Sequence, residues 1–172
     1  GDVILSLPIA RIIKKHFPDC KITFLVRNYT EALVQNHPFI DDHLTIIENE
    51  GVIDLNANIR MLKQKSFDSS IIVYPTFKTS LMIFLSRIPL RIGTGYRWYS
   101  WLFNSKVYEH RKDGRKHELA YNVGLLQNIG IDENVSADDI AFDLIPTESS
   151  TKFINELFVS EKISNEKPIV II

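Results

Sequence analysis

The chain has a single cysteine, Cys20, so it can form no internal disulfide and no cysteine metal site, and a reducing compartment is the natural default. Cys20 lies between Asp19 and Lys21 at the head of a strand and reads as a small buried or half-buried filler. Long hydrophobic runs are also lacking. The densest is Leu81–Leu85, closed by Ser86-Arg87, far short of the roughly 20 residues that span a bilayer. The start shows no initiator Met, no basic stretch leading into an apolar one and no small-residue cleavage pattern, so no secretory leader can be read there, although a shortened start would hide one. There is no GxxxxGK[ST] phosphate loop, no GxSxG nucleophile turn, and no HxH or HExxH. A zinc site is a poor reading of His110 and His117, which stand seven apart with Glu118 as their only adjacent acid, so no metal is expected. His16, His37 and His43 are isolated and read as structural or solvent-facing.

Hydrophobic residues make up 45% of the 172, enough to fill one substantial core. The net charge of -1 gives no support to a nucleic-acid binder. Its distribution is more telling. Between Arg87 and His117 eight Lys or Arg stand against two acids, which leaves +6 there and -7 over the remainder. One anion-attracting region is set in an acidic body.

Three segments, Lys21–Val26, Leu44–Ile47 and Ser70–Tyr74, combine β-branched or aromatic runs with turn residues at both ends. The first and third are continuous enough to be strands buried on both faces of a parallel sheet. Helical spacing marks Ile9, Ile12, Ile13 and Phe17, then a short helix near Tyr29–Asn36, then Ile53–Lys65 and Phe77–Leu85. Arg91–Gly93 and Lys106–Tyr108 read as short extended pieces. Glu118–Ile129 is a helix closed by Gly130. Residues 138–146 are extended or turn, and Thr147–Glu161 is a helix with Thr147 as its cap and Phe153, Leu157 and Phe158 as its buried stripe. Strands alternating with helices predict an α/β fold, a Rossmann-like parallel sheet flanked by helices. The amphipathic helix near residue 1 needs a sheet to cover it, and the first strand of a doubly wound sheet is central, so a strand upstream of Gly1 is expected. By the same logic Ile169–Ile172 would open a second domain. The expected division is 1–165, a domain lacking its first strand, and 166–172, the start of the next.

Three groups of residues are candidates for chemistry. Gly1-Asp2, where a strand end turns into a helix, places a carboxylate near the carboxyl edge of a sheet, where it could deprotonate a hydroxyl; equally, Asp2 could be an N-cap, with Ser6 and Pro8 sharing an irregular first turn. In Arg91-Ile92-Gly93-Thr94-Gly95-Tyr96-Arg97 the glycines permit a tight turn or close ligand approach, and Arg91 and Arg97 can hold phosphate or carboxylate; a plain turn with solvated arginines is the alternative. This is not a dinucleotide fingerprint, because the third glycine is lacking. The basic run Arg111, Lys112, Arg115 and Lys116 before His117 could clamp an anionic substrate or touch an acidic membrane surface, or simply be a solvated loop tied down by His117. The aromatics Tyr96, Trp98, Tyr99, Trp101 and Phe103 suggest a core patch or a wall for a bulky sugar or lipid.

Taken in order, GDVILSLPIARIIKKHFP, the FLV strand, His37-Pro38-Phe39-Ile40-Asp41, Phe67-Asp68, the RIG of Arg91–Gly93 and HELAYNVGLLQNIG resemble the bacterial lipopolysaccharide heptosyltransferases, glycosyltransferase family 9. The resemblance covers essentially the whole chain. It implies the acceptor-side, N-terminal half of a GT-B enzyme with two Rossmann-like domains. It also implies inverting transfer of a sugar, usually heptose from an ADP-activated donor, to the anionic lipopolysaccharide core on the cytoplasmic side of the inner membrane. The nucleotide sugar would be a co-substrate bound largely by the second domain, with no obligatory cofactor, and peripheral contact with the inner membrane is expected. The family's general base falls on Asp2. Gly1, Arg91, Gly93, Arg97, Arg111, Lys112, Arg115 and His117 are then the candidates for holding the acceptor. Other expectations compatible with the residues are a different NDP-sugar transferase of the same fold, a non-catalytic α/β binding domain, and a relative that binds acceptor without turnover.

Overall fold

The computed structural model describes residues 2–109, 114, 116–132 and 140–163. The strand expected at 169–172 and the extended residues 138–139 lie outside these. A 3-10 turn at Ile4–Ser6 leads into α1, Leu7–His16. Ser6 Oγ donates to the Val3 carbonyl at 2.7 Å and Pro8 occupies the first turn, where its missing N–H would have had no partner. β1 (Thr23–Val26) and β2 (Asp42–Thr45) pair in parallel, Thr23 opposite Asp42 and Val26 opposite Thr45, with a 3-10 stretch at Asn28–Leu33 between them. β2 begins two residues before the expected Leu44–Ile47. Ile47 leaves the ladder because its backbone N–H and C=O are both taken by the side chain of Asn58, at 3.0 and 2.8 Å.

A short antiparallel pair follows, β3 (Glu48–Asn49) with β4 (Val52–Ile53), turning through Glu50 and Gly51 at φ 51° and 77°. Positive φ at both turn positions matches the twist of the two strands. Helix α2, Leu55–Lys65, is capped by Asp54, which accepts from Ala57 N at 2.9 Å. β5 (Ser69–Ile71), β6 (Leu90–Thr94) and β7 (Ser105–Val107) form a second parallel sheet. α3, Phe77–Leu85, starts in a reciprocal Thr76/Thr79 capping box. α4, Glu118–Gly124, continues as a 3-10 stretch to Ile129 and stops at Gly130 in the left-handed region. α5 spans Glu148–Ser160, and Thr147 caps it by accepting from Ser150 N.

The fold is therefore α/β, parallel sheets flanked by helices. Alternation along the strands assigns the two faces. Phe24 and Val26 join Leu7 and Val34 on one face, where α1 also sets Ile9 and Ile12 against Ile71 and Val73. Leu25, Leu44 and Ile72 turn to the other face and meet Leu62, Met82, Ile83 and Ile88, from α2, α3 and the turn after it. Helices on both faces thus contact β1 and β5 together, yet among the described residues no ladder joins these two strands.

The expected buried stripe of α5 is not realised. Phe153 is 62% exposed, Leu157 is exposed and Phe158 is half-buried, because no buried cluster of the described residues includes this helix.

Candidate functional site at the carboxyl edge of the sheets

Open parallel sheets bind ligands beyond the carboxyl ends of their strands. That edge collects Arg27 after β1, Glu48 after β2, Tyr74 to Thr76 beyond β5, Gly95 to Arg97 after β6, and Tyr108 and Glu109 after β7. The entry to α1 lies there too, since Val3 packs with Leu7 and Val26, the last residue of β1. This places Asp2, an exposed turn residue, at the mouth of the edge. The N-cap reading of Asp2 is corrected. The cap position of the first turn is Val3, already helical, and no side chain caps it. The α4 end of the fold meets the same turn, where Asn122 Nδ2 donates to Leu5 O at 3.0 Å. His117 caps α4, its Nδ1 accepting from Leu119 N at 3.3 Å, so the imidazole holds the helix start as its sequence position suggested.

The GTG stretch is used by packing. A Cβ at Gly93 would come within 2.7 Å of the buried Phe103 ring, and one at Gly95 within 2.3 Å of the Tyr108 ring. The close approach that these glycines permit is therefore to aromatic side chains of the chain itself. Arg91 is likewise occupied by the fold. Its Nε donates to Leu102 O at 2.9 Å, its Nη1 to Ile88 O at 2.6 Å, and its guanidinium lies over the Phe84 ring, 5.3 Å from the centroid. With its fork on carbonyls, it is a clamp at the start of β6 and not a free anion receptor. Arg97 is exposed and acts on Tyr99: burial raises the phenol pKa, and the nearby guanidinium opposes that rise. Tyr99 is fixed by donating to Pro75 O at 2.7 Å. Gly1, Arg111, Lys112 and Arg115 lie outside the described residues.

Sequence reasoning passed over Glu109, one of the two acids in the basic stretch. One of its carboxylate oxygens takes Lys116 Nζ at 2.6 Å, while the other is buried without a hydrogen-bond partner among the described residues. That second oxygen would lie 2.9 Å from a Cβ at Gly124, so a glycine there lets α4 approach the carboxylate. The carboxylate in turn raises the Lys116 pKa. Arg27 and Glu48 form a second pair at this edge, at 3.4 Å. Neither pairing had a spacing signal, because the partners are joined by topology. Among the described residues no group of three His, Cys, Asp or Glu could hold a metal.

No protein-family model matches the chain. Individual relatives do. A protein of Haemophilus influenzae named as a glycosyltransferase is 26% identical over 127 residues, 74% of this chain and 37% of that protein. Lipopolysaccharide heptosyltransferase 2 of Salmonella typhimurium is 23% identical over 182 aligned positions, 99% of this chain and 49% of that enzyme. The chain is similar along nearly its whole length to a lipopolysaccharide heptosyltransferase. Solved structures agree in fold: a family 9 glycosyltransferase of Veillonella parvula superposes with a TM-score of 0.81 at 16% identity, covering 97% of this chain and 48% of that one. The ADP-heptose lipopolysaccharide heptosyltransferase II of Escherichia coli gives 0.67 at 17%, covering 98% and 49%. The chain spans about half the length, or less, of the proteins it matches.

Proposed function

We propose that residues 1–165 are the acceptor-side domain of a two-domain, GT-B glycosyltransferase and that 166–172 open its second domain. The whole protein then moves a heptose, or a similar sugar, from an ADP-activated donor to the lipopolysaccharide inner core at the cytoplasmic face of the inner membrane. The names of the Salmonella and Escherichia proteins support the donor and acceptor classes. The observation that carries the reading is the place of Asp2: an exposed carboxylate at the carboxyl edge, on a turn packed against the end of β1 and not consumed by a helix cap. The unladdered space between β1 and β5 is read as the position of one further parallel strand leading into Asp2.

In this mechanism the Asp2 carboxylate takes the proton of an acceptor hydroxyl as the oxygen attacks the anomeric carbon. The bond to the nucleoside diphosphate breaks on the opposite face, and the leaving group departs with the bonding electrons. One displacement inverts the configuration and needs no covalent enzyme intermediate. Arg97 and His117, with Gly1, Arg111, Lys112 and Arg115, are the proposed contacts to the anionic acceptor. Arg91 and Gly93 are withdrawn from that set, since the fold occupies both. The test is nucleoside-diphosphate release by the full-length protein with a panel of NDP-sugars and truncated lipopolysaccharide acceptors. Release that requires both ADP-heptose and a core acceptor is expected; release with a UDP-sugar in its place would move the protein to another transferase class.

A further inference from the structure

Among the described residues two asparagines are buried on helices, Asn58 on α2 and Asn122 on α4, at 0% and 1% exposure. Asn58 shows what such a side chain does in this fold. Its Oδ1 accepts from Ile47 N and its Nδ2 donates to Ile47 O, so one amide holds both the N–H and the C=O of a single residue. Asn122 makes half of that pattern. Its Nδ2 donates to Leu5 O at 3.0 Å across 117 positions of sequence, while its Oδ1 is closed to solvent and has no hydrogen-bond partner among the described residues. A buried amide oxygen left without a donor is costly, and a ligand cannot reach an atom that solvent does not touch, so its donor belongs to the protein.

We propose that Asn122 is a positioning residue for Asp2: its Nδ2 holds the carbonyl side of the turn that carries the carboxylate, and its Oδ1 accepts from a backbone N–H of the strand read as leading into Asp2. The place of α4 fits both bonds. Its Leu119 and Val123 share one cluster with Leu5, Ile9 and Ile12 and with Ile71 and Val73, so the helix lies beside the turn and beside β5, which flanks the unladdered space. This helix is firmly anchored, with His117 capping its start and Leu119, Tyr121 and Val123 buried. The turn has less to hold it, since Asp2 is exposed and no side chain caps Val3. A tie from the helix to the backbone on each side of Asp2 fixes the direction in which the carboxylate leaves the chain. A general base must stand about 2.6–3.2 Å from the oxygen whose proton it takes, and a misplacement of about 1 Å costs on the order of 10²-fold in rate. Asn122 touches no substrate in this role and acts only through Asp2. The role rests on the reading of Asp2 as the base and adds the residue that aims it.

The test is a double-mutant cycle in the full-length protein, reading kcat and KM for transfer from ADP-heptose to a lipopolysaccharide-core acceptor. Asn122→Ala should lower kcat about 10- to 100-fold and leave both KM values within about threefold of wild type. Because it acts through the carboxylate, it should have no further effect once that group is gone: Asp2→Asn/Asn122→Ala should turn over within about threefold of Asp2→Asn alone. A merely structural asparagine would instead give the same loss in both backgrounds. Should Asn122→Ala fail to fold, Asn122→Thr takes its place in the cycle, since it nearly keeps the side-chain volume while its hydroxyl is too short to reach both partners. Equal losses in the two backgrounds, or an Asn122 variant that folds and turns over at the wild-type rate, would overturn the role of Asn122 alone. Undiminished turnover by Asp2→Asn would overturn the base, and this role with it.

Discussion

Replacing Gly93 and Gly95 by Ala, one at a time, makes the same chemical change two residues apart and should give different results. At Gly93 the new methyl would lie 2.7 to 2.8 Å from three atoms of the Phe103 ring, where carbon atoms prefer about 3.5 to 4.0 Å. The ring must yield by roughly 1 Å, and it is buried in the cluster with Tyr99 and Leu102. Overpacking of this kind costs about 1–3 kcal/mol, offset by about 0.4–1 kcal/mol from the stiffer unfolded chain. The net expectation is a loss of about 1–2 kcal/mol. At Gly95 the clash is with Tyr108, 64% exposed and held by an edge contact to Tyr96, so its ring can swing into solvent. That change should stay within about 0.5 kcal/mol. Urea unfolding followed by tryptophan fluorescence reads this region, with m of about 1–3 kcal/mol/M implying a midpoint shift on the order of 0.5–1 M for Gly93→Ala. A Gly93→Ala protein as stable as the wild type, with a raised KM, would refute packing as the reason for the glycine and restore ligand approach.

Three further outcomes are expected. Asn58 is fully buried and bonds the Ile47 N–H, the Ile47 carbonyl and the Asp54 carbonyl, so Asn58→Ala should cost about 2–4 kcal/mol and lower the thermal midpoint by several degrees. The neutral form of His37 is favoured, chiefly by burial, and its ring accepts from Phe39 N while meeting Phe142 O. With the folded pKa below the ordinary value of about 6.5, its contribution is complete above that pH and is lost as pH falls below it; Tm should drop between about pH 7 and 5, and less in His37→Gln. Asp41 accepts from Ile22 N and Lys14 Nζ, so Asp41→Ala should lose about 1 kcal/mol at neutral pH, the partial exposure of the carboxylate reducing the effect of the ion pair, as urea melts would register.

Local signals were most legible where the chain's own neighbours decide the outcome. The run Phe77–Leu85 gives α3 without error because a Thr76/Thr79 box starts it and Ser86 and the left-handed Arg87 stop it. Thr147 and Gly130 act as the caps their residue types suggest. Spacing was silent on partners brought together by topology: it could not show that Phe103 fills the space over Gly93, that Leu102 and Ile88 hold the Arg91 fork, or that Glu109 meets Gly124. The α5 stripe failed for a related reason. An apolar pattern predicts burial only if some element lies opposite, and the buried clusters of the described residues contain none of its side chains. At the candidate site the sequence offered Asp2 as a candidate and placed His117 at the start of α4, while the exclusion of Asp2 from capping came from the backbone of Val3.

The most direct measurement is the turnover of Asp2→Asn in the full-length protein, with ADP-heptose and a lipopolysaccharide-core acceptor. Loss of the proton acceptor should lower kcat by about 10²- to 10⁴-fold while leaving acceptor affinity and thermal stability close to wild type. A variant that transfers sugar at the wild-type rate would contradict the assignment of the base to Asp2, and with it the place given to the reaction at this edge of the sheets.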